Sequence, residues 1–193
     1  FVEFYLGLTP EYNNLTHCGL ILGRMVFNDN NKIPIYDPEM KRAEYIFARR
    51  GTVMIDNTLL EDEHRFRSTM GHEAGHWIYQ QSYFYKDPFQ MNLFSNMENT
   101  STACRRFDIE GGEYNESGRK SLVSDHDWLE HQTKYFSAAI LMPRAAMKII
   151  CGDEELRRRF QEEFPGYEEE MLASYVADVF NVSVASAKIR IRQ

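Results

Sequence analysis

The feature that most constrains the fold is the run His72-Glu73-Ala74-Gly75-His76, which has the pattern HExxH. Residues four apart lie on the same face of an α-helix, so His72 and His76 could direct two imidazole nitrogens at one metal ion. Glu73 lies about 100° further round the helix, near enough to hold a metal-bound water without being a ligand. In zinc hydrolases the metal lowers the pKa of such a water and a carboxylate takes its proton. The pattern therefore predicts a helix that carries a catalytic metal site.

The residues around this pattern favour a buried amphipathic helix. An apolar stripe runs along one face at helical spacing, and Gly71 and Gly75 share another line. Two glycines inside a helix cost about 1 kcal/mol each relative to alanine, so we expect a neighbouring element to approach the backbone closely there. The alternative interpretation is a core helix that is merely capped by two histidines. The apolar stripe consists of Phe66, Met70, Ala74, Trp77 and Ile78.

A second helix is predicted over residues 127–142. Leu129, Phe136 and Ile140 recur at i, i+7 and i+11, which is typical of a partly buried helix. Pro143 follows, and proline is not accommodated in a helix interior. The segment is therefore expected to end as a helix near that residue.

This second helix offers candidates for the third metal ligand, which a catalytic zinc site needs in addition to an open fourth position. Glu130 shares a line with Thr133 and Ser137, two small residues that would let the helix approach the first one closely. His126 and His131 are competing candidates, because carboxylate and imidazole both suit zinc. The spacing alone leaves the choice open.

Taken together, the two segments resemble the ImmA/IrrE family of metallopeptidases. The second has the form W-x-E-x-Q-x-x-x-F-x-A-x-[LI]-L-M-P, and the resemblance covers residues 50–145. It implies a zincin-like peptidase in which His72, His76 and Glu130 hold one Zn²⁺ and Glu73 is the general base. The matching residues of the second segment are Trp128, Glu130, Gln132, Phe136, Ala138 and Ile140-Leu141-Met142-Pro143.

The resemblance also implies a substrate class, namely helix-turn-helix repressors of the Xre type, often encoded beside the peptidase on mobile elements. Cleavage of such a repressor would regulate transcription. The sequence departs from the usual family pattern at Thr133, Lys134 and Ser137. None of these is a ligand, so the implied metal site is unaffected, whereas the packing of the helix is less constrained.

The fold class expected is α+β, with a small N-terminal sheet followed by the active-site helices. Strands are predicted over residues 18–27, 32–36 and 51–55, and Pro10 is expected to be a break. The run Asn28-Asp29-Asn30-Asn31 indicates a turn, which would join the first two strands as a hairpin. The HExxH helix is predicted over residues 62–81.

Two regions are expected, residues 1–150 as a zincin-like peptidase domain and residues 151–193 as a helical extension. The end of the extension resembles a helix-turn-helix unit, with a turn at residues 181–183 and Ser183 as the N-cap of the last helix. Its charges are not those of a DNA-docking module, which normally shows a basic excess. We expect it to pack on the peptidase domain or to contact the repressor.

Residues 82–127 are polar and predict little regular structure beyond a possible hairpin over residues 106–114. A connection of this length is usually functional or mobile. Because it joins the two predicted metal-bearing helices, it either borders the cleft or is an insertion without a role.

The composition of the chain limits the classes of partner that we expect it to bind. The net charge is −7, which argues against general binding to nucleic acid or to an anionic membrane, and no apolar run is long enough to span a membrane. Cys18, Cys104 and Cys151 are too few and too scattered for a disulfide framework. We therefore expect a cytoplasmic protein with reduced thiols; the sequence does not indicate an oligomeric state.

The mechanism expected is attack of a metal-activated water on a peptide carbonyl, with Glu73 as the base. Tyr79, Tyr135 and His131 have suitable chemistry to stabilise the oxyanion, and the sequence does not choose among them. Two alternatives stay open. The chain could be a regulatory protein that binds a repressor without cleaving it, or a metallohydrolase that acts on a small molecule.

Overall fold

The protein is an α+β structure with a small N-terminal sheet and a helical C-terminal half. The computed structural model describes residues 1–84, 101–105 and 124–193. The strands are β1 (Thr9–Asn13), β2 (Ile21–Met25), β3 (Asn30–Asp37), β4 (Arg42–Ala48), β5 (Thr52–Asp56) and β6 (Cys104–Arg105). The α-helices are α1 (Glu63–Phe84), α2 (Asp125–Leu141), α3 (Arg144–Cys151), α4 (Glu154–Glu163), α5 (Glu168–Phe180) and α6 (Val184–Ile191), and a short 3₁₀ helix covers Asn57–Leu59.

The main sheet has four strands in the order β1-β5-β2-β6. β1 is parallel to β5, whereas β2 is antiparallel to both β5 and β6. The expected break at Pro10 is wrong, because β1 passes through this residue and pairs it with Val53. Proline is tolerated there since β1 lies at the edge of the sheet, where a missing backbone donor interrupts no second ladder.

The expected hairpin between the first two predicted strands is also wrong. β3 pairs with β4 in a separate two-stranded sheet, and both edges of β2 are occupied by β5 and β6. The hairpin turn lies between β3 and β4 and contains Lys41 in the left-handed conformation, with φ of 51°. β4 gave no clear pattern in the sequence because its outer face carries exposed aromatic residues, Tyr45 and Phe47.

The two faces of the main sheet are both covered. On one face, apolar side chains of the sheet such as Leu22, Val53 and Ile55 pack with Phe66 and Trp77 of α1. On the other face a second cluster joins the main sheet to the β3–β4 hairpin, and its buried members are Leu15, Val26, Ile33, Ala48 and Met54. The sheet thus fixes α1, the helix that carries the HExxH residues.

Both helices that the sequence predicts to carry metal ligands are present. Asp62 caps α1, accepting a hydrogen bond from Arg65 N at 3.1 Å. Ser124 and Asp127 form a capping box at the start of α2. α2 ends at Leu141, just before Pro143, as expected. The predicted hairpin over residues 106–114 lies outside the described residues, as does most of the connection 82–127.

The C-terminal helices pack around one apolar cluster. This cluster includes Met142 and Met147 together with Leu156, Phe160 and Val176, so it joins the two regions that the sequence divides at residue 150; the boundary itself stays a prediction. The turn between α5 and α6 lies at residues 181–183 and Ser183 caps α6, as expected. Among the described residues, no helix has the length and apolar character needed to cross a membrane.

Candidate metal centre

Three donor side chains meet between α1 and α2. The Nε2 atoms of His72 and His76 are 3.0 Å apart. Glu130 Oε2 lies 3.3 Å from His72 Nε2, and Glu130 Oε1 lies 3.4 Å from His76 Nε2. All three residues are buried, and each offers one ligand atom within 4.8 Å of the others. The structure thus brings together the three residues that the sequence and the family resemblance predicted.

The two helices approach closely because small residues face each other. A Cβ atom built on Gly71 would lie 2.7 Å from Ser137 Oγ. One built on Gly75 would lie 3.2 Å from Thr133 Cα, which is backbone and has little freedom to move. The close approach expected at the two glycines is therefore confirmed, and it is what allows Glu130 on α2 to reach the histidines on α1.

The donor set fits a metal ion. Glu130 Oε2 is buried and, although close to His72, has no hydrogen-bond partner of acceptable geometry among the described residues. A carboxylate oxygen and two imidazole nitrogens pointing at one place are ligands that divalent first-row metals favour. The group could therefore hold a metal ion. The donor set alone does not distinguish zinc from its neighbours in that row.

The ionisation of the ligands suits metal binding. Burial raises the pKa of Glu130, but the nearby imidazoles of His72, His76 and His126 outweigh burial and hold its pKa at about 2. Burial lowers the pKa of His76 to about 4, and the charge of His72 lowers it further than Glu130 raises it. At neutral pH the centre therefore offers an anionic carboxylate and a neutral imidazole, which are the forms that bind metal.

Glu73 is fully buried beside this centre. Thr102 Oγ1 donates a hydrogen bond to Glu73 Oε2 at 2.9 Å, whereas Glu73 Oε1 has no partner among the described residues. Burial raises the pKa of Glu73 to about 7, and the charge of Glu130 adds to this while His72, Thr102 and Arg24 oppose it. A carboxylate with such a pKa can both accept and return a proton near neutral pH.

The sheet makes room for Glu73 through a glycine in β2. A Cβ atom built on Gly23 would lie 2.8 Å from Glu73 Oε1 and 2.6 Å from Thr69 Cγ2. Any side chain at this position would push Glu73 or Thr69 aside. The requirement for Gly23 was missed in the sequence, because nothing in a strand pattern shows which helix residue will lie against it.

Two further residues of the site were missed. Thr102 reaches Glu73 from the short segment 101–105, and only the folded chain brings it there. Gln80 accepts a contact from His76 Nδ1 at 2.6 Å. The sequence did contain a signal for Gln80, since this residue follows His72 and His76 at the same spacing of four and so lies on the same helix face.

The other candidates from the sequence lie outside the donor cluster. His126 and His131 are exposed and are not members of the group of three ligands, although the charge of His126 affects the pKa of both His76 and Glu130. His131 packs edge-on against Trp128. The oxyanion candidates Tyr79 and Tyr135 are both more than half exposed, and Tyr79 packs against Phe136.

No family model matches the chain, and no curated protein matches it.

Proposed function

We propose that this chain is a zinc-dependent endopeptidase with a zincin-like core that acts inside the cell on a helix-turn-helix repressor of the Xre type, as the resemblance to ImmA/IrrE proteins implies. The observation that carries the proposal is the buried group of His72, His76 and Glu130 with Glu73 beside it. A core helix capped by two histidines would have no need of the buried carboxylate of Glu130, or of a second buried acid, Glu73, with one oxygen that has no partner among the described residues.

In the proposed reaction His72, His76 and Glu130 would hold a zinc ion, and the bound ion would supply the Lewis acidity that acidifies a water molecule and polarises the scissile carbonyl. Glu73 takes the proton of the attacking water on Oε1, the oxygen that has no partner among the described residues. It then returns the proton to the leaving amine. Thr102 holds Oε2 during this exchange, so that the carboxylate does not rotate away.

Two features support a general base rather than a structural acid at Glu73. Its carboxylate is completely buried and forms no salt bridge with a cation among the described residues, and such burial is costly and is typically retained for function. The raised pKa places the carboxyl near the pH at which base catalysis is most effective. A protein that only grips a repressor would need neither feature.

The proposal is tested by incubating the purified chain with a helix-turn-helix repressor encoded beside its gene. We expect about one zinc per chain by elemental analysis and cleavage that stops with a chelator and returns with zinc. Glu73→Gln serves as the matched inactive variant, because it removes the base and keeps the size of the side chain.

The outcomes separate the alternatives. Inactivation of the repressor by both wild type and Glu73→Gln, with no cleavage, would make the chain a regulatory binding protein. Hydrolysis of small amides or esters with no cleavage of any repressor would favour a small-molecule hydrolase. A purified chain that retains no metal from a zinc-containing buffer would contradict the proposal as a whole.

A further inference from the structure

The side chain of Gln80 is buried between α1 and α2 and uses every polar atom. Gln80 Nε2 donates to Leu129 O at 2.9 Å and to Thr133 Oγ1 at 3.1 Å. Gln80 Oε1 lies 2.6 Å from His76 Nδ1. The amide therefore contacts one metal ligand directly and the backbone carbonyl immediately before another, Glu130.

The orientation of this amide is fixed by its partners. Leu129 O is a carbonyl and can only accept, so the NH₂ group of Gln80 has to face it. Thr133 Oγ1 donates its own proton to Leu129 O at 2.8 Å, and it therefore presents a lone pair to Gln80. A flipped amide would set its oxygen against two acceptors inside the protein, where unmatched polar groups cost the most.

This orientation determines the tautomer of His76. Since Gln80 Oε1 can only accept, the proton in the 2.6 Å contact has to belong to His76 Nδ1. A neutral imidazole with its proton on Nδ1 has an unprotonated Nε2, and Nε2 is the atom that faces His72 and Glu130. The chain from Leu129 O through Gln80 thus prepares His76 to bind a metal.

We propose that Gln80 is a positioning residue of the metal centre: it holds His76 in the tautomer with a free Nε2 and ties α1 to the turn of α2 that carries Glu130. The inference rests on the metal site of the proposed function. Groups that orient a metal-bound histidine typically contribute 10–100-fold to metal affinity.

His72 provides an internal comparison, because its Nδ1 is buried and has no hydrogen-bond partner among the described residues. Among the described residues, a tautomer is therefore fixed at His76, through Gln80, and none is fixed at His72.

The first test is ¹⁵N NMR of the full chain after chelation, since nitrogen shifts and two-bond couplings distinguish the two tautomers. We expect His76 to carry its proton on Nδ1. Dominance of the Nε2–H form at His76 in the wild-type protein would overturn the inference. This measurement needs neither a metal nor a substrate.

The second test is the zinc affinity of four variants, measured by competition with a chromophoric chelator. We expect Gln80→Leu to bind zinc about 10–100-fold more weakly and to lose the fixed tautomer. Gln80→Glu keeps an acceptor for His76 Nδ1 but sets its second oxygen against Leu129 O, so it should keep the tautomer and recover only part of the affinity. Gln81→Leu is the matched control, because it makes the same change one residue along α1, where Gln81 accepts a hydrogen bond from Arg50 at the surface.

Thr133→Val keeps the assay informative if Gln80→Leu does not fold. It removes one anchor of the amide and the 3.4 Å contact of Thr133 Oγ1 with His76 Nδ1, while the 2.6 Å contact of Gln80 with His76 remains. We therefore expect a smaller loss of affinity than in a folded Gln80→Leu and a retained tautomer. Equal zinc affinity in Gln80→Leu and Gln81→Leu would contradict the inference while leaving the proposed function intact. Failure of the wild type to bind zinc would instead contradict the proposed function, and the tautomer result would stand by itself.

Discussion

The interface between α1 and α2 and the core of the C-terminal extension are built in opposite ways. Every buried residue in 144–193 is apolar. The α1–α2 interface and the adjoining side of α1 that faces β2 instead bury polar and charged side chains, which are Thr69, His72, Glu73, His76, Gln80, Glu130, Thr133 and Ser137.

This difference in buried side chains distinguishes a region whose burial stabilises the fold from a region whose burial is not explained by stability. Burial of apolar side chains stabilises by about 25 cal/mol per Å², whereas burial of polar groups stabilises only when each is paired. On these buried faces of α1 and α2, Glu73 Oε1, Glu130 Oε2 and His72 Nδ1 lack hydrogen-bond partners among the described residues. The extension can therefore be understood as packing alone, and the interface cannot.

Two contacts link the regions through backbone carbonyls. Arg67 of α1 donates from Nη1 to Phe180 O at 2.7 Å and to Asn181 O at 3.0 Å, at the turn between α5 and α6. Arg190 of α6 donates from Nε to Met142 O at 3.1 Å, just after α2. The extension thus fastens to both helices of the metal centre without entering it.

Removal of a ligand should give the largest effect. We expect His72→Ala or His76→Ala to abolish zinc retention and Glu130→Ala to weaken it strongly, because two ligands rarely hold zinc against a buffer. Elemental analysis after dialysis measures this. His126→Ala and His131→Ala are the controls, and they should retain about one zinc per chain because both side chains lie outside the donor group. A larger loss in either control than in Glu130→Ala would reassign the third ligand.

Loss of the base should be the next largest effect. We expect Glu73→Gln to keep its zinc and to lose hydrolysis by roughly 10² or more, the usual scale for a general base. The test compares the rates of repressor cleavage by wild type and Glu73→Gln, with the metal content measured on the same samples. Equal rates in the two proteins would remove Glu73 from the mechanism.

The buried carboxyl of Glu73 should also cost stability in the chelated protein. Its pKa rises from 4.5 to about 7 on folding, so between these values the folded state binds more protons than the unfolded state. The contribution of Glu73 to the free energy of unfolding is therefore fully present below pH 4.5 and is lost as the pH rises through 7. His76, with its lowered pKa, changes stability in the opposite direction, and a comparison with Glu73→Gln isolates the Glu73 part.

We therefore expect chelated Glu73→Gln to be more stable than wild type by about 1–3 kcal/mol at pH 8, with the difference vanishing below pH 4.5. Denaturant unfolding at several pH values measures it. Glu162→Gln removes the same charge from an exposed position of α4 and is the control for the apolar region. A wild type that is the more stable protein at pH 8 would show that the interface does not carry this cost.

The hydrogen bond from Thr102 to Glu73 should have a smaller effect. Thr102→Val removes the donor to Glu73 Oε2 and should lower kcat by ~10-fold, which corresponds to about 1.4 kcal/mol, with zinc content unchanged. Thr102→Ser keeps the hydroxyl and should restore the rate. A serine variant as slow as the valine variant would mean that Thr102 acts through its methyl packing and not through its proton.

Local sequence patterns predicted the features of the site that depend on the spacing of residues along a helix. The series His72, His76 and the glycines Gly71 and Gly75 indicated a helix with a close neighbour, and the structure confirms both. The pairing of β3 with β4 was not predictable, because turn residues Asn28–Asn31 favour a hairpin whatever strand lies beyond them. Thr102 was missed for a related reason. Its contact with Glu73 depends on a strand pairing that only the folded chain defines.

The last prediction concerns DNA, for which we expect no effect. α5 and α6 have the helix-turn-helix form, yet two of the three basic side chains from residue 188 onward are already engaged: Lys188 pairs with Glu170 at 3.4 Å and Arg190 with Met142 O. Three glutamates also open α5, at residues 168–170. DNA-binding modules attract phosphate with unpaired, clustered cations. The purified chain should therefore give no sequence-selective gel shift at about 0.1 M salt. At that salt concentration, screening still permits contacts between cations and phosphate. A shift that is selective for sequence, weakens with salt and disappears in Lys188→Ala would show instead that the extension binds DNA.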